Sequence, residues 1–330
     1  MKFRLLGASG PRVSAIGLGC MAMSGTYGPA DDAESVATVR EALDRGVTLL
    51  DTGDFYGMGH NEQLLREAMQ GRRRDHAFLS VKFGVQWGPN REMLGIDNRP
   101  ASIKNFLGYT LRRLGTDHVD LYMPARVDPA VPIEDTVGAI AELIQAGYVR
   151  HLGLSEAGPD TVRRAHAVHP VAALQIEYSL MSRGPETTLL PLLRELGIAL
   201  VAYGVLSRGL IGGHLAAEPT ETKDGRRHYP RFQGENLARN LALVGALREV
   251  AEEKRVSVAK LAVAWVLARG TNVIPLVGVR RREQLADLLG AVDLTLTAND
   301  LALIERAVPP GAVAGERYGE AGMAALDSER

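Results

Sequence analysis

Cysteine is almost absent: Cys20 is the only one among 330 residues. A single thiol closes no intramolecular disulfide and cannot by itself hold a metal, so a disulfide scaffold and a cysteine metal cluster are both excluded. No run of about 18 apolar residues occurs, which excludes a membrane-spanning helix. The opening MKFRLLGASG also lacks the apolar core of a signal peptide. A reducing cytoplasm is the expected setting. Neither sign of charge dominates, with 38 basic against 39 acidic residues, so nucleic acid and anionic membranes are not expected partners. The short basic run at 72–74 reads as a solvated turn. The dinucleotide signature G-x-G-x-x-G is missing too, because Gly17-Leu18-Gly19-Cys20-Met21-Ala22 ends without its third glycine. That speaks against an open doubly wound sheet.

What is present is ordinary for a soluble globular chain: 46% hydrophobic and 23% charged residues, with no linker or low-complexity tract. One domain over 1–330 is expected. Residues 2–15 read as a β-hairpin around Ala8-Ser9-Gly10-Pro11, suited to plugging the bottom of a barrel. Strand and helix patterns then alternate. Strands are expected at 16–19, 47–50, 77–83, 119–123, 149–154, 173–176, 198–203 and 273–277. Helices are expected from Asp31-Asp32 onward, bearing Val36, Val39 and Leu43 on one face, then at 62–69, 101–114, from Ile133, at 160–168, 186–196, 237–253, 258–268, 282–289 and 298–307. Polar loops fill 84–97 and 207–235. Such alternation indicates an α/β chain folded as a (β/α)8 TIM barrel, with an N-terminal hairpin and extra C-terminal helices.

In such a barrel the chemistry sits at the C-terminal ends of the strands. Asp51 closes the second strand, Tyr56 follows in a glycine-rich loop, and Lys82 ends the neighbouring third strand. Asp51 and Tyr56 alone suit equally well an Asp capping a helix and a Tyr packed under a loop. Lys82 changes the weighing. A buried ammonium needs a counter-charge, which Asp51 can provide, and an ammonium near a phenol favours phenolate. The three together read as a tuned proton donor. On the opposite rim Ser155, Gln175 and Tyr203 offer hydrogen-bonding groups and a flat ring, as a planar heteroaromatic cofactor requires. Gly278 is followed by Arg280, Arg281 and Arg282 at a helix N-terminus, an arrangement that suits a phosphate.

At this point the segments LLDTGDFYGMGHNEQLL, LSVKFG, LRRLGTDHVDLY, GYVRHLGLSE, LQIEYSLMSR, GVLSRGLIGG and IPLVGVRRREQL matter together. Spread in order along the chain, they resemble the aldo-keto reductase family over nearly its whole length. The resemblance implies NADPH as reductant, with hydride passing to a carbonyl carbon and a Tyr protonating the oxygen. It implies Tyr56 as general acid, Lys82 as the group lowering its pKa, and Asp51 as the group holding Lys82. It further implies Ser155 and Gln175 on the nicotinamide carboxamide, Tyr203 stacked on the ring, and Cys20, Met21, Gly204, Val205, Leu206, Ser207, Arg208 and Gly209 along the cofactor. Gly278 and Arg280 would meet the phosphates, Arg280 taking the 2′-phosphate, with Gln284 and Asp287 at the adenosine end. No metal is expected, and the partner is a small carbonyl compound, pyridoxal being one to test.

Three departures qualify the resemblance. Where the family has a catalytic His after the fourth strand, this chain has Ala125, in Met123-Pro124-Ala125-Arg126-Val127-Asp128-Pro129. Glu156 stands where the family has an Asn beside Ser155, and Leu288 where it often has an Asn near the adenine. His60, His118 and His151 each read as a loop or barrel-bottom residue, not as a substitute for the missing imidazole. Phe55, Trp87, Met123 and Phe232 are candidates for a substrate wall beside Ala125, or for packing under loops. The 207–235 loop is expected over the pyrophosphate. A second reading remains open: an NADP(H)-binding redox sensor resembling potassium-channel beta subunits, which also lack that His.

Overall fold

The computed structural model describes residues 1–8, 10–212 and 224–329, without the Arg72 side chain. Ser9 of the expected turn and 213–223 of the expected loop lie outside the described residues. Strands β1 (Phe3–Leu5) and β2 (Arg12–Ser14) pair antiparallel as the hairpin. Strands β3 (Gly17–Gly19), β4 (Leu49–Gly53) and β5 (Phe78–Phe83) follow. A second hairpin, β6 (Val85–Trp87) with β7 (Met93–Ile96), occupies what had read as polar loop. Strands β8 (Val119–Pro124), β9 (Val149–Ser155), β10 (Val171–Glu177), β11 (Ala199–Tyr203) and β12 (Val273–Gly278) complete the set. Parallel pairing runs β3-β4-β5-β8-β9-β10-β11-β12 and closes from β12 back to β3. This is the (β/α)8 barrel.

Helices α1 (Asp32–Asp44), α2 (His60–Ala68), α3 (Pro100–Leu114), α4 (Ile133–Gln145), α5 (Pro159–Val168), α6 (Leu189–Glu195), α7 (Gly234–Glu253), α8 (Val258–Leu267) and α9 (Arg282–Leu289) lie between or after the barrel strands. α10 (Ala298–Ala307) and α11 (Glu320–Ala324) end the chain. The Asp31 side chain caps α1 by accepting from the Glu34 N–H at 2.8 Å, satisfying an orphan amide. The expected helix 186–196 is instead a 3-10 turn, Gly184–Glu186, and a short α6. Two threonines and Pro191 at this point delay the first helical hydrogen bonds.

Period-two alternation sorts each strand into two cores. Outward residues such as Leu18, Leu50, Leu79, Val81 and Tyr122 pack on helix residues Val36, Val39, Leu64, Ile103 and Val137. Inward residues Leu49, Leu121, Met123, Ala173, Ala199, Val201, Ile274 and Leu276 fill the barrel. Leu6 and Val13 of the first hairpin are fully buried in that same inner cluster, so the hairpin does close the barrel floor. The basic run at 72–74 departs from a solvated turn: Arg73 pairs with Asp44, and Arg74 bridges the Ala77 carbonyl, His118 and Asp120. Asp120 in turn accepts the Leu79 N–H at 2.8 Å, which ties this corner to β5.

Between β5 and β6, Gly84 takes φ +102°, and a Cβ there would stand 2.5 Å from the Asn98 Oδ1. Asn98 is fully buried and donates to the Arg126 carbonyl at 2.8 Å. Gly84→Ala is therefore expected to cost about 1–3 kcal/mol through left-handed strain and displacement of Asn98. Urea unfolding of the variant checks this; an unchanged midpoint would show the turn to be permissive.

Candidate active site

Register brings the polar side chains together at the mouth. Asp51 pairs with Ser80 across β4 and β5, Lys82 with Met123 across β5 and β8, and Gln175 with both Ser155 and Val201. Each lies on the inward side, one or two residues above the apolar filling. Asp51 sits within β4 rather than at its end, because the strand continues through Thr52 and Gly53. Lys82 Nζ donates to Asp51 Oδ1, and the other oxygen accepts from Ser80 Oγ at 2.9 Å and Gln175 Nε2 at 2.7 Å. The pair is buried on both sides. Burial pushes the Lys82 ammonium below its ordinary range, and the Asp51 carboxylate offsets only part of that.

Tyr56 opens a 3-10 turn after β4, and its ring centroid lies 5.3 Å from Lys82 Nζ. Phe55 meets it edge-on at 4.8 Å. The expected lowering of the phenol is not what the packing produces. Burial, then the Asp51 charge, push Tyr56 well above the ordinary phenol range, and the Arg126 guanidinium is the cation that pulls the other way. The hydroxyl is thus held protonated.

The opposite rim is also assembled. Tyr203 ends β11, and its hydroxyl donates to Glu156 Oε1 at 2.6 Å and lies 3.0 Å from the Tyr318 hydroxyl. Glu156 adopts φ +52°, a left-handed conformation that Asn tolerates better than Glu. Its carboxylate takes Arg317 Nη1 at 2.8 Å, Arg317 Nη2 at 2.6 Å and Ser328 Oγ at 2.6 Å. Burial opposes its charge, but Arg317, Arg126 and Ser328 outweigh that and hold the carboxyl at about 2. The chain's C-terminal stretch is therefore clamped onto the mouth, a contact that no sequence pattern announced. Glu177, two residues after Gln175 on the same strand face, accepts from Arg208 at 3.0 Å and Ser182 at 2.7 Å. Arg208 lies between the Tyr229 and Tyr318 rings, 4.6 Å from each centroid.

Other expected site residues are placed as follows. Cys20 is fully buried, its N–H donating to the Asp51 carbonyl at 2.9 Å, and Met21 is half-buried beside it. Burial pushes the Cys20 thiol far up, so it is no nucleophile. Gly204, Leu206 and Gly209 are half-buried after β11, with Val205 and Ser207 buried. Arg280 Nη1 donates to the Pro29 carbonyl at 3.0 Å, Gln284 is exposed on α9, and Asp287 accepts from Ser257 Oγ. Gly278 pairs with Gly19 across β12 and β3, and a Cβ on Gly278 would approach only the Gly19 carbonyl, at 3.9 Å. The Gly278 end is thus unobstructed, whereas a Cβ on Gly19 would touch Leu276 at 3.4 Å.

Corrections fall on the substrate wall. Met123 is fully enclosed in the inner cluster and Phe232 in the outer core, so neither presents a free face. Trp87 lies on the β6–β7 hairpin, 39% exposed. Ala125 is 2% exposed, a methyl in a closed spot. None of the three weighed histidines approaches it: His60 bonds Ser24 and Asp32, His118 lies against Asp117, and His151 stacks on Phe78. Among the described residues no cluster of His, Cys, Asp or Glu could hold a metal, and no helix is long and apolar enough to cross a membrane.

The aldo/keto reductase family model matches residues 15–309. The chain belongs to the aldo/keto reductase family. It is 40% identical over 314 residues to a Glycine max protein named "Probable aldo-keto reductase 1", covering 95% of this chain and 90% of that one. Among solved structures it is similar to a glycerol dehydrogenase from Gluconobacter oxydans, with TM-score 0.82, 31% identity, and 93% and 96% of the two chains covered. It is also similar to a Bacillus halodurans aldo-keto reductase in its holo form, with TM-score 0.79, 30% identity, and 96% and 98% covered. As a member of this family the protein is an oxidoreductase enzyme acting on small molecules.

Two measurements probe the buried charges. Asp51→Asn leaves the Lys82 ammonium without its counter-charge and is expected to cost about 3–5 kcal/mol. Adding Lys82→Met should recover most of that loss in denaturant melts; no recovery would place the cost elsewhere. Asp54, beside Tyr56, is pushed up to about 8 by burial and by the Glu62 charge. Its Oδ1 and the Glu62 Oε1 have no hydrogen-bond partner among the described residues. The folded protein thus keeps a proton that the unfolded chain releases near 3.8, so stability falls as pH rises from there through about 8. Asp54→Asn should flatten the decline of Tm with pH across that window; equal slopes would refute the shift.

Proposed function

We propose that the enzyme is an NADPH-dependent reductase of aldehydes or ketones, with Tyr56 as proton donor. The observation that carries this reading is the Tyr56 ring, its centroid 5.3 Å from the Lys82 Nζ that Asp51 holds. NADPH, when bound, supplies the hydride that the carbonyl carbon receives.

The chain's own residues do the rest. Tyr56 gives its proton to the carbonyl oxygen, and Lys82 offsets the negative charge left on the phenolate. Asp51 keeps Lys82 charged and oriented, and Ser80 and Gln175 fix Asp51 in turn. The residues present fit a nicotinamide dinucleotide: Tyr203 presents a ring at the end of β11, and the bare Gly278 end admits close approach of a ligand. Ser155 and the carbonyl of the Gln175 amide face the carboxamide in this reading, and Arg280 the 2′-phosphate. The Gluconobacter relative is named a glycerol dehydrogenase, so alcohol oxidation belongs to the proposal as the reverse reaction. The reading treats the chain as one barrel domain working in the cytoplasm.

Loss of NADPH absorbance with a panel of aldehydes, pyridoxal included, tests the activity. Tyr56→Phe is expected to lose most turnover, on the order of 10²-fold or more, while binding NADPH as the unmodified protein does. Normal turnover by that variant would overturn the mechanism. Tight NADPH binding with no turnover on any carbonyl would favour the redox-sensing reading instead.

A further inference from the structure

Almost every arginine at the barrel mouth has a carboxylate. Arg208 lies 3.0 Å from Glu177, Arg231 3.4 Å from Glu177, and Arg317 2.6 Å from Glu156. Arg126 is half-buried among these same groups and forms no ion pair among the described residues. Its Nη1 donates to the Ala125 carbonyl at 2.7 Å, and its Nη2 to the Tyr318 hydroxyl at 3.4 Å. Both acceptors are neutral. A guanidinium carries five N–H donors, so several remain unused.

The main chain beneath it is fixed from two sides. The Ala125 N–H donates to the Phe83 carbonyl at 2.8 Å, and Asn98 Nδ2 donates to the Arg126 carbonyl at 2.8 Å. This carries the β5–β8 pairing, Lys82 with Met123 and Phe83 with Pro124, onward to the rim. Arg126 therefore stands one residue above Ala125, next to the strand that bears Lys82, and its charge acts on the Tyr56 phenol. Burial opposes the guanidinium charge, but Tyr318, Tyr203 and Glu156 outweigh it, so the group stays cationic.

We propose that the Arg126 guanidinium donates a hydrogen bond to the substrate's carbonyl oxygen, in the place where Ala125 offers none. The role rests on the reductase reading above. In that reaction the carbonyl carbon gains a hydride from NADPH and its π electrons move onto oxygen. The Tyr56 O–H bond breaks as the proton passes to that oxygen, giving alcohol, NADP+ and a phenolate that solvent reprotonates. Charge thus develops on oxygen before or while the proton arrives, and a fixed cation stabilises it with no reorganisation. A guanidinium remains charged at every working pH, which an imidazole does not.

The test compares Arg126→Met and Arg126→Lys with the unmodified protein in single-turnover hydride transfer, using benzaldehyde and a carboxybenzaldehyde. Arg126→Met is expected to slow the transfer about 10²-fold on both aldehydes, with the NADPH dissociation constant unchanged. Arg126→Lys should fall between, and Ala125→His added to Arg126→Met should restore part of the rate. A readout free of turnover is the infrared carbonyl stretch of benzaldehyde bound to Tyr56→Phe protein with NADP+. It should lie at lower frequency with Arg126 present than with Arg126→Met. An unchanged rate and an unchanged stretch overturn the role. A loss confined to KM for the carboxylated aldehyde assigns Arg126 to an anionic substituent, and a parallel loss of NADPH affinity assigns it to the cofactor; either result overturns it. If the unmodified protein binds NADPH but reduces neither aldehyde, the reductase reading fails and this role with it.

Discussion

The site depends on one buried charge pair, Lys82 with Asp51. Neither charge would survive alone inside a barrel, since an isolated buried ion costs several kcal/mol. Each therefore needs the other, and both need the β4–β5 register that sets Gly53 opposite Lys82 and Asp51 opposite Ser80. A slip of one residue would turn one of the two side chains outward into the helix layer, away from its partner. The closed barrel forbids such a slip. The geometry of the pair follows from strand pairing.

A second centre is organised by the same rule. Glu156 and Glu177 bring negative charge to the mouth, and Arg317, Arg208 and Arg231 converge on them. Arg317 and Ser328 belong to the last stretch of chain, so charge pairing draws the C-terminus back across the barrel. Tyr203 and Tyr318 extend this second centre through their hydroxyls and through Glu156. The phenols, carboxylates and guanidinia at the mouth share one electrostatic environment. That environment acts on the Tyr56 phenol, where burial and the Asp51 charge outweigh the Arg126 guanidinium.

Much of this was legible in the chain. Alternating apolar runs and amphipathic stretches announced eight strands, their helices and the plugging hairpin, because periodicity records which side is buried. Asp51, Lys82, Gln175 and Tyr203 were legible as rim residues, since they stand at or near strand ends in a fold whose strand ends hold the chemistry. The second hairpin was not: Val85–Trp87 and Met93–Ile96 are short, glycine-interrupted and partly exposed, so their pairing leaves little pattern. Met123 and Phe232 look like wall residues in sequence, and only packing shows them enclosed.

By itself the sequence determined the barrel and the family, because local periodicity and ordered motifs carry that information. The tertiary structure alone decided the partners: Gln175 on Asp51, Arg317 on Glu156, Asp287 on Ser257, and Arg126 without a carboxylate among the described residues. These contacts join residues far apart in the chain, and no local spacing encodes them. The stretch around Asp51 and Tyr56 states which groups are available for chemistry. Burial, which depends on the whole fold, pushes the Tyr56 phenol well above its ordinary range.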